Sequence, residues 1–232
     1  MEHIHQLWNK NMIEIYSLLD INRYLRDRPK FRRNLEVLNK SGIVLLVACW
    51  ESFVEDLASH SFDFMLSNAT KPNVFPTKVL TRSSKVFWDS KDERGVWALA
   101  DVGWRTVLTS HKSRILQDYI GSFNTPRSAQ VDALFEMLIG FKNSSSHWHW
   151  KNMSNNQAKK KLGDLITLRG AIAHRVSASK SVTRRSFLDY CIFISRVGMI
   201  TSNTLRDFVH KRVGEYPWRA IKLEYDWKKI SI

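Results

Sequence analysis

Arg169 and His174 lie five residues apart in the segment Leu168-Arg169-Gly170-Ala171-Ile172-Ala173-His174. A fixed cation beside a titratable imidazole is the minimum needed to cleave a phosphodiester without a metal: the imidazole moves protons near neutral pH and the cation stabilises charge on the phosphate. The flanking residues predict one helix over about 156–179. On it Leu162, Leu165, Leu168, Ile172 and Val176 form the apolar stripe that faces a core. Arg169 sits beside that stripe, where a desolvated guanidinium calls for a carboxylate or phosphate partner. A buried ion pair that braces the fold is the competing explanation.

His174 projects from the opposite side, so the comparison for it is an ordinary surface histidine. Its neighbours there are Gly163, Thr167, Gly170 and Ser177, a small set that lets a partner helix or a ligand approach closely. Five residues give about 140° of rotation and ~7.5 Å of rise, so Arg169 and His174 of one straight helix do not converge on one atom. Two copies across a two-fold axis bring the Arg of one chain near the His of the other.

The elements that hold this helix are themselves helical. Apolar residues recur at three- and four-residue intervals and two-residue alternation is nearly absent, which predicts an all-α chain. Long helices are expected over about 3–24 and 31–68. Lys71-Pro72-Asn73 and Phe75-Pro76-Thr77 make residues 70–90 a connection with one short helix. Helices follow at about 92–120 and 127–140, and the polar stretch 141–161 reads as a loop, or a loop merging into a helix N-terminus. A last helix covers about 182–212. No internal repeat or linker interrupts this order. The expected organisation is a single helical domain over 1–215 followed by a basic, aromatic tail, 216–232.

Composition narrows the class of partner. The 232 residues, 44% of them hydrophobic, supply a proper core, and 36 Lys and Arg against 22 Asp and Glu leave a formal charge of +14. That balance suits a polyanion such as RNA, although a solvated cationic face accounts for it equally well. Nine Trp, 12 Phe and six Tyr could stack on bases, but at helical spacing they are more often core. Cys49 and Cys191 sit in apolar contexts and read as free thiols. No secretory signal is visible, and the longest apolar run, Gly42 to Trp50, falls far short of the ~20 residues of a membrane span. The expected location is the cytoplasm.

Several constellations are excluded. His147-Trp148-His149 has no further ligand at metal spacing, and His3 and His5 have less claim still. Gly-rich phosphate loops, Gly-x-Ser-x-Gly elbows and His-Glu-x-x-His helices are absent. The basic pairs Arg184-Arg185, Lys211-Arg212 and Lys228-Lys229 could guide an RNA backbone, though each is also an ordinary solvated helix end or tail.

Arg169-x4-His174 resembles the Arg-x(4–6)-His signature of the HEPN superfamily. Two further segments are similar to its RiboL-PSP type: Ala48-Cys49-Trp50-Glu51-Ser52-Phe53-Val54-Glu55-Asp56-Leu57 to the early helix, and Phe123-Asn124-Thr125-Pro126 through Leu134-Phe135 to Gly140 to the middle segment. The resemblance covers about residues 35–210. It implies an antiparallel helical bundle that dimerises into a composite cleft and needs no cofactor. It also implies RNA cleavage by the substrate's own 2′-hydroxyl, with Arg169 gripping the phosphate and His174 handling protons. Products would be a 2′,3′-cyclic phosphate and a 5′-hydroxyl. Glu51, a carboxylate in an apolar run, is the candidate to orient Arg169 or His174; an exposed charge at a helix edge is the alternative.

The expected function is therefore a metal-independent endoribonuclease of toxin-like or antiviral kind, with RNA, a second copy of the chain and an inhibitory protein as partners and no membrane. Gly170 stands where the family commonly has a polar residue. This departure favours the other reading, a non-catalytic dimeric module that binds RNA or protein.

Overall fold

The computed structural model describes residues 3–89, 99–122, 126–175 and 181–222. Among these it contains seven α-helices: α1 (His3–Arg26), α2 (Arg32–Asn68), α3 (Thr77–Asp89), α4 (Gly103–Ser122), α5 (Ser128–Ile139), α6 (Asn155–Arg175) and α7 (Arg184–Val213). The all-α expectation holds. Short 3-10 turns precede α2 and α3 and join α5 to α6.

α2, 37 residues long, is the central helix and packs against α1, α5, α6 and α7. Apolar side chains line several of its sides because it has neighbours on several sides. Ile43, Leu46, Trp50, Val54, Leu57 and Phe62 are all fully buried. Residues Asn34–Asn68 are long and apolar enough to cross a membrane by composition; in this fold half of their most apolar window is buried. The guanidinium of Arg105 on α4 donates to the carbonyls of Leu66 and Ala69 and so closes the C-terminal end of α2.

α1 runs back along α2. Asn22 Nδ2 donates to Asn39 Oδ1 at 2.8 Å near one end, and the Trp8 and Phe53 rings lie 4.1 Å apart toward the other. α7 runs alongside α2 in the same direction, and the Phe187 ring of α7 fills the space that a side chain would take at Gly42: a Cβ there would lie 2.2 Å from it. Tyr16 and Ser195 hydroxyls, 3.0 Å apart, pin α1 to α7.

Four expectations change. Residues 70–90 carry a 13-residue helix, α3, rather than a short one. Pro72 and Pro76 sit before its first turn, where a missing N–H costs nothing. The helix expected from about 92 starts, among the described residues, at Gly103, after a turn in which Asp101 has φ 51°; Val96 lies outside the described residues. The polar stretch after Phe141 is not an outer loop: Ser144, Ser145 and Trp148 are fully buried. Asp132 accepts from both serine hydroxyls and the Ser145 amide at 2.6–2.7 Å, and Trp148 Nε1 donates to Thr201 at 2.9 Å. Paired polar groups can be buried, and a hydropathy pattern does not show the pairing. Finally, the first part of the aromatic tail lies against the bundle, with Trp218 buried and edge-on to His5 at 5.7 Å.

Burial, before all other causes, lowers the pKa of His5, His60 and His111 below the ordinary histidine value of 6.5. Arg114 donates to Nδ1 of His111 at 3.3 Å while its Nε2 donates to the Met137 carbonyl, an arrangement that suits the neutral ring. The sign follows by linkage: above 6.5 neither state is charged and the contribution of these rings is complete. As the pH falls below that value the unfolded chain takes up protons that the fold refuses, and stability is lost. We expect the thermal unfolding midpoint to stay level from pH 8 to 7 and to drop between about pH 6.5 and 5. A level midpoint across the whole range would contradict this.

Candidate active site

α6 is held by its apolar stripe. Ala158, Leu162, Leu165, Ile166 and Ile172 are buried and Leu168 packs partly against the same core; Val176 and Ser177 lie outside the described residues. The helical projection therefore sets the two central side chains as expected. Arg169 is half-buried beside the stripe, and His174 is exposed in the last turn of α6.

Among the described residues, Arg169 is one of five side chains, with His60, Arg184, Arg196 and Trp218, that have a buried polar atom without a partner. Its Nε is sealed from solvent and has no hydrogen-bond partner. A buried donor without an acceptor costs about 1–3 kcal/mol, more when charged. The acceptor that its position calls for is therefore not supplied at Nε by the described residues. In particular, Glu51 does not accept from Nε. Glu51 is half-buried on α2, and its charge acts on the same helix: burial first, then Glu51 and Asp56, raise the carboxyl of Glu55 above the ordinary glutamate value. Glu51 thus belongs to a small acidic group on α2.

The small-residue face divides into two halves. Over Gly163 and Thr167 lies a residue that the sequence reading did not single out, Arg127, which immediately precedes α5. Its Nη2 donates to Thr167 Oγ1 at 2.9 Å and its Nη1 to the Gly163 carbonyl at 3.2 Å. A Cβ on Gly163 would lie 3.0 Å from that Nη1. At Gly170 the surface is open: a Cβ there would meet nothing within 4 Å. The open half holds Gly170 and His174, with the Arg127 guanidinium bounding it on the Thr167 side. The only sequence signal for Arg127 was its place directly after the Pro126 that marks the family-like middle segment.

Trp50 joins these parts. Its indole is fully buried, stands edge-on to Trp148 at 5.9 Å and 73°, and donates from Nε1 to the Pro126 carbonyl at 3.2 Å. One side chain of α2 thus fixes the backbone that carries Arg127 onto α6.

Other reactive groups are set aside by their surroundings. Cys49 and Cys191 are buried free thiols; burial pushes Cys49 up to about 12 and raises Cys191 as well, so neither is a thiolate nucleophile near neutral pH. Among the described residues no three His, Cys, Asp or Glu side chains gather at metal-ligand spacing.

No curated protein and no solved structure matches this chain. The sequence profile of the RiboL-PSP-HEPN family matches residues 9–207, which takes in most of α1 as well as the segments from α2 to α7. That span agrees with the structure, in which α1 shares the core with α2 and α7. A match over this much of its length shows the family: the chain belongs to the RiboL-PSP-HEPN family.

Proposed function

We propose that this protein is a metal-independent endoribonuclease whose active form is a homodimer, acting in the cytoplasm as a toxin-like or antiviral effector under the control of an inhibitory partner. The coarser reading, a nuclease or RNA-binding role, is what membership of the family supports. The observation that carries the finer one is Arg169: a buried guanidinium N–H with no acceptor among the described residues, on the helix that exposes His174. Arg184 and Arg196 also have a buried nitrogen without a partner; what sets Arg169 apart is the helix it shares with an exposed imidazole.

In the proposed reaction the 2′-hydroxyl of a ribose attacks the adjacent phosphorus. An imidazole of His174 takes the hydroxyl proton, an imidazolium gives a proton to the departing 5′-oxygen, and the P–O5′ bond breaks as the new P–O2′ bond forms. Arg169 holds the non-bridging oxygens and stabilises their charge. The products are a 2′,3′-cyclic phosphate and a 5′-hydroxyl. Because the two side chains leave α6 in different directions, the partner's α6 completes the site.

The purified protein should cut RNA in EDTA and leave cyclic phosphate ends. Absence of cleavage, or cleavage that requires a divalent cation, would overturn the proposal. Gly170→Ala tests the dimer. In a single chain the new methyl meets nothing, and the exchange favours the helix by up to about 1 kcal/mol. The monomer should therefore gain stability while dimerisation and cleavage fall. A dimer of unchanged affinity would place the interface elsewhere. Gly170, which puts no polar side chain on this open surface, favours the second reading, a non-catalytic binding module; RNA bound without any cyclic phosphate product would select it.

A further inference from the structure

A second basic feature lies at the start of α7, apart from the residues described above. A cavity of about 460 Å³ opens there between the C-terminal end of α1, the N-terminal end of α2 and the first turn of α7, and Arg26, Arg184 and Arg185 are among its walls. It is a built feature. Asn39 Nδ2 donates to the Val182 carbonyl at 2.8 Å, which seats the entry to α7 against α2, and Asn39 in turn accepts from Asn22 at 2.8 Å. Both asparagines are buried.

The cavity carries uncompensated positive charge. Arg184 is fixed by Nε, which donates to the Leu19 carbonyl at 3.3 Å, while its Nη2 is buried and has no acceptor among the described residues. Burial, and then the neighbouring charges of Arg23 and Arg26, lower the pKa of Arg184; Asp20 acts in the other direction. Glu36, the carboxylate on the wall, is engaged by Lys40 at 3.1 Å. The Arg26 pairing is with its own neighbour Asp27, at 3.5 Å and largely in solvent. The first turn of α7 has no acidic residue, and its cap, Thr183, takes the Ser186 amide, so the positive end of a 30-residue helix adds to the same field.

We propose that this cavity binds a backbone phosphate of a polynucleotide strand, as an anchoring site outside the cleavage site. This rests on the RNA reading above. Three arginines, one with a guanidinium nitrogen lacking an acceptor, match the acceptors of a phosphodiester. Among the described residues the walls contain no aromatic side chain, so they offer a base nothing to stack on and favour the backbone over a nucleoside. Its place along the chain suits a strand that also reaches His174: seven peptide links separate His174 from Ser181 on the cavity wall, so covalent geometry keeps them within about 25 Å.

The test uses the full chain with His174→Ala, which cannot process its ligand, and a labelled single-stranded RNA. Binding is measured over a salt series with and without the added pair Arg26→Gln and Arg185→Gln. Both arginines are exposed, so their exchange spares the fold. The pair should weaken binding by about ten-fold and flatten the log–log salt slope by about 1.4, the value for two phosphate contacts on a single strand. Lys142→Gln with Lys151→Gln removes the same charge from another exposed surface and should change both much less. Equal losses in the two pairs, or none in the arginine pair, would overturn the site while leaving the nuclease reading intact. Failure to bind RNA at all would overturn both. RNA held through the cavity but left uncut by the protein with His174 intact would support the site and overturn the nuclease. A calorimetric titration with inorganic phosphate forms the last arm. Phosphate binding abolished in the arginine pair, with RNA affinity unchanged, would give the cavity to a free phosphate and overturn the polynucleotide assignment.

Discussion

His174→Ala lowers RNA cleavage by about 10²- to 10⁴-fold, the range contributed by a positioned general acid or base. The folded state does not change, because the side chain is exposed in the last turn of α6 and carries no apolar packing. Arg169 separates function from stability more sharply. Arg169→Met removes the phosphate contact and should cost about 10²- to 10³-fold in cleavage. It also removes a donor that is buried without an acceptor, so the fold should gain about 1 kcal/mol. Arg169→Lys should not restore activity, since an ammonium lacks the planar fork that grips two phosphate oxygens. Cleavage rates beside thermal unfolding midpoints check all three variants. A destabilised Arg169→Met protein would show that the guanidinium braces the bundle, and the catalytic assignment would then lose its support.

The second large effect belongs to Trp50. Trp50→Ala empties a fully buried site at the centre of α2 and leaves the Pro126 carbonyl without its donor. Truncation of a buried Trp costs about 3–5 kcal/mol, and in a chain of this size that lowers the unfolding midpoint by ~6–20 °C. Trp50→Phe keeps most of the ring packing and loses the N–H, so its cost should be near ~1–2 kcal/mol. The two variants also read the site. If Trp50 holds Pro126 so that Arg127 reaches Gly163 and Thr167, the Phe variant should lose cleavage out of proportion to its stability. A Trp50→Ala protein that melts within a degree or two of the wild type would contradict the packing described here.

The most reliable sequence inferences concerned single helices. The pattern of Leu162, Leu165, Leu168 and Ile172 set one face of α6 toward the core, and rigid helical geometry then fixed where Arg169 and His174 point. That inference crosses no loop and needs no partner, and the burial of those residues agrees with it. Where polar residues are buried the same logic failed. Ser144, Ser145 and Trp148 read as loop residues in sequence because their hydrogen-bond partners, Asp132 and Thr201, lie in other elements. Arg127 carries little sequence signal because its significance comes from lying over α6, 36 and 40 residues away in sequence.

The sequence alone determined the helical class, the order of the helices, the opposed placement of Arg169 and His174, and the segments that resemble the family. Each depends on spacing within one stretch of chain, where covalent geometry leaves few choices. Tertiary structure decided the rest: the unpartnered Nε of Arg169, the division of the small face by Arg127, and the cationic cavity that joins Arg26 to Arg184 across more than 150 residues. These depend on which distant groups packing brings within hydrogen-bond reach, and on which polar atoms it leaves without an acceptor.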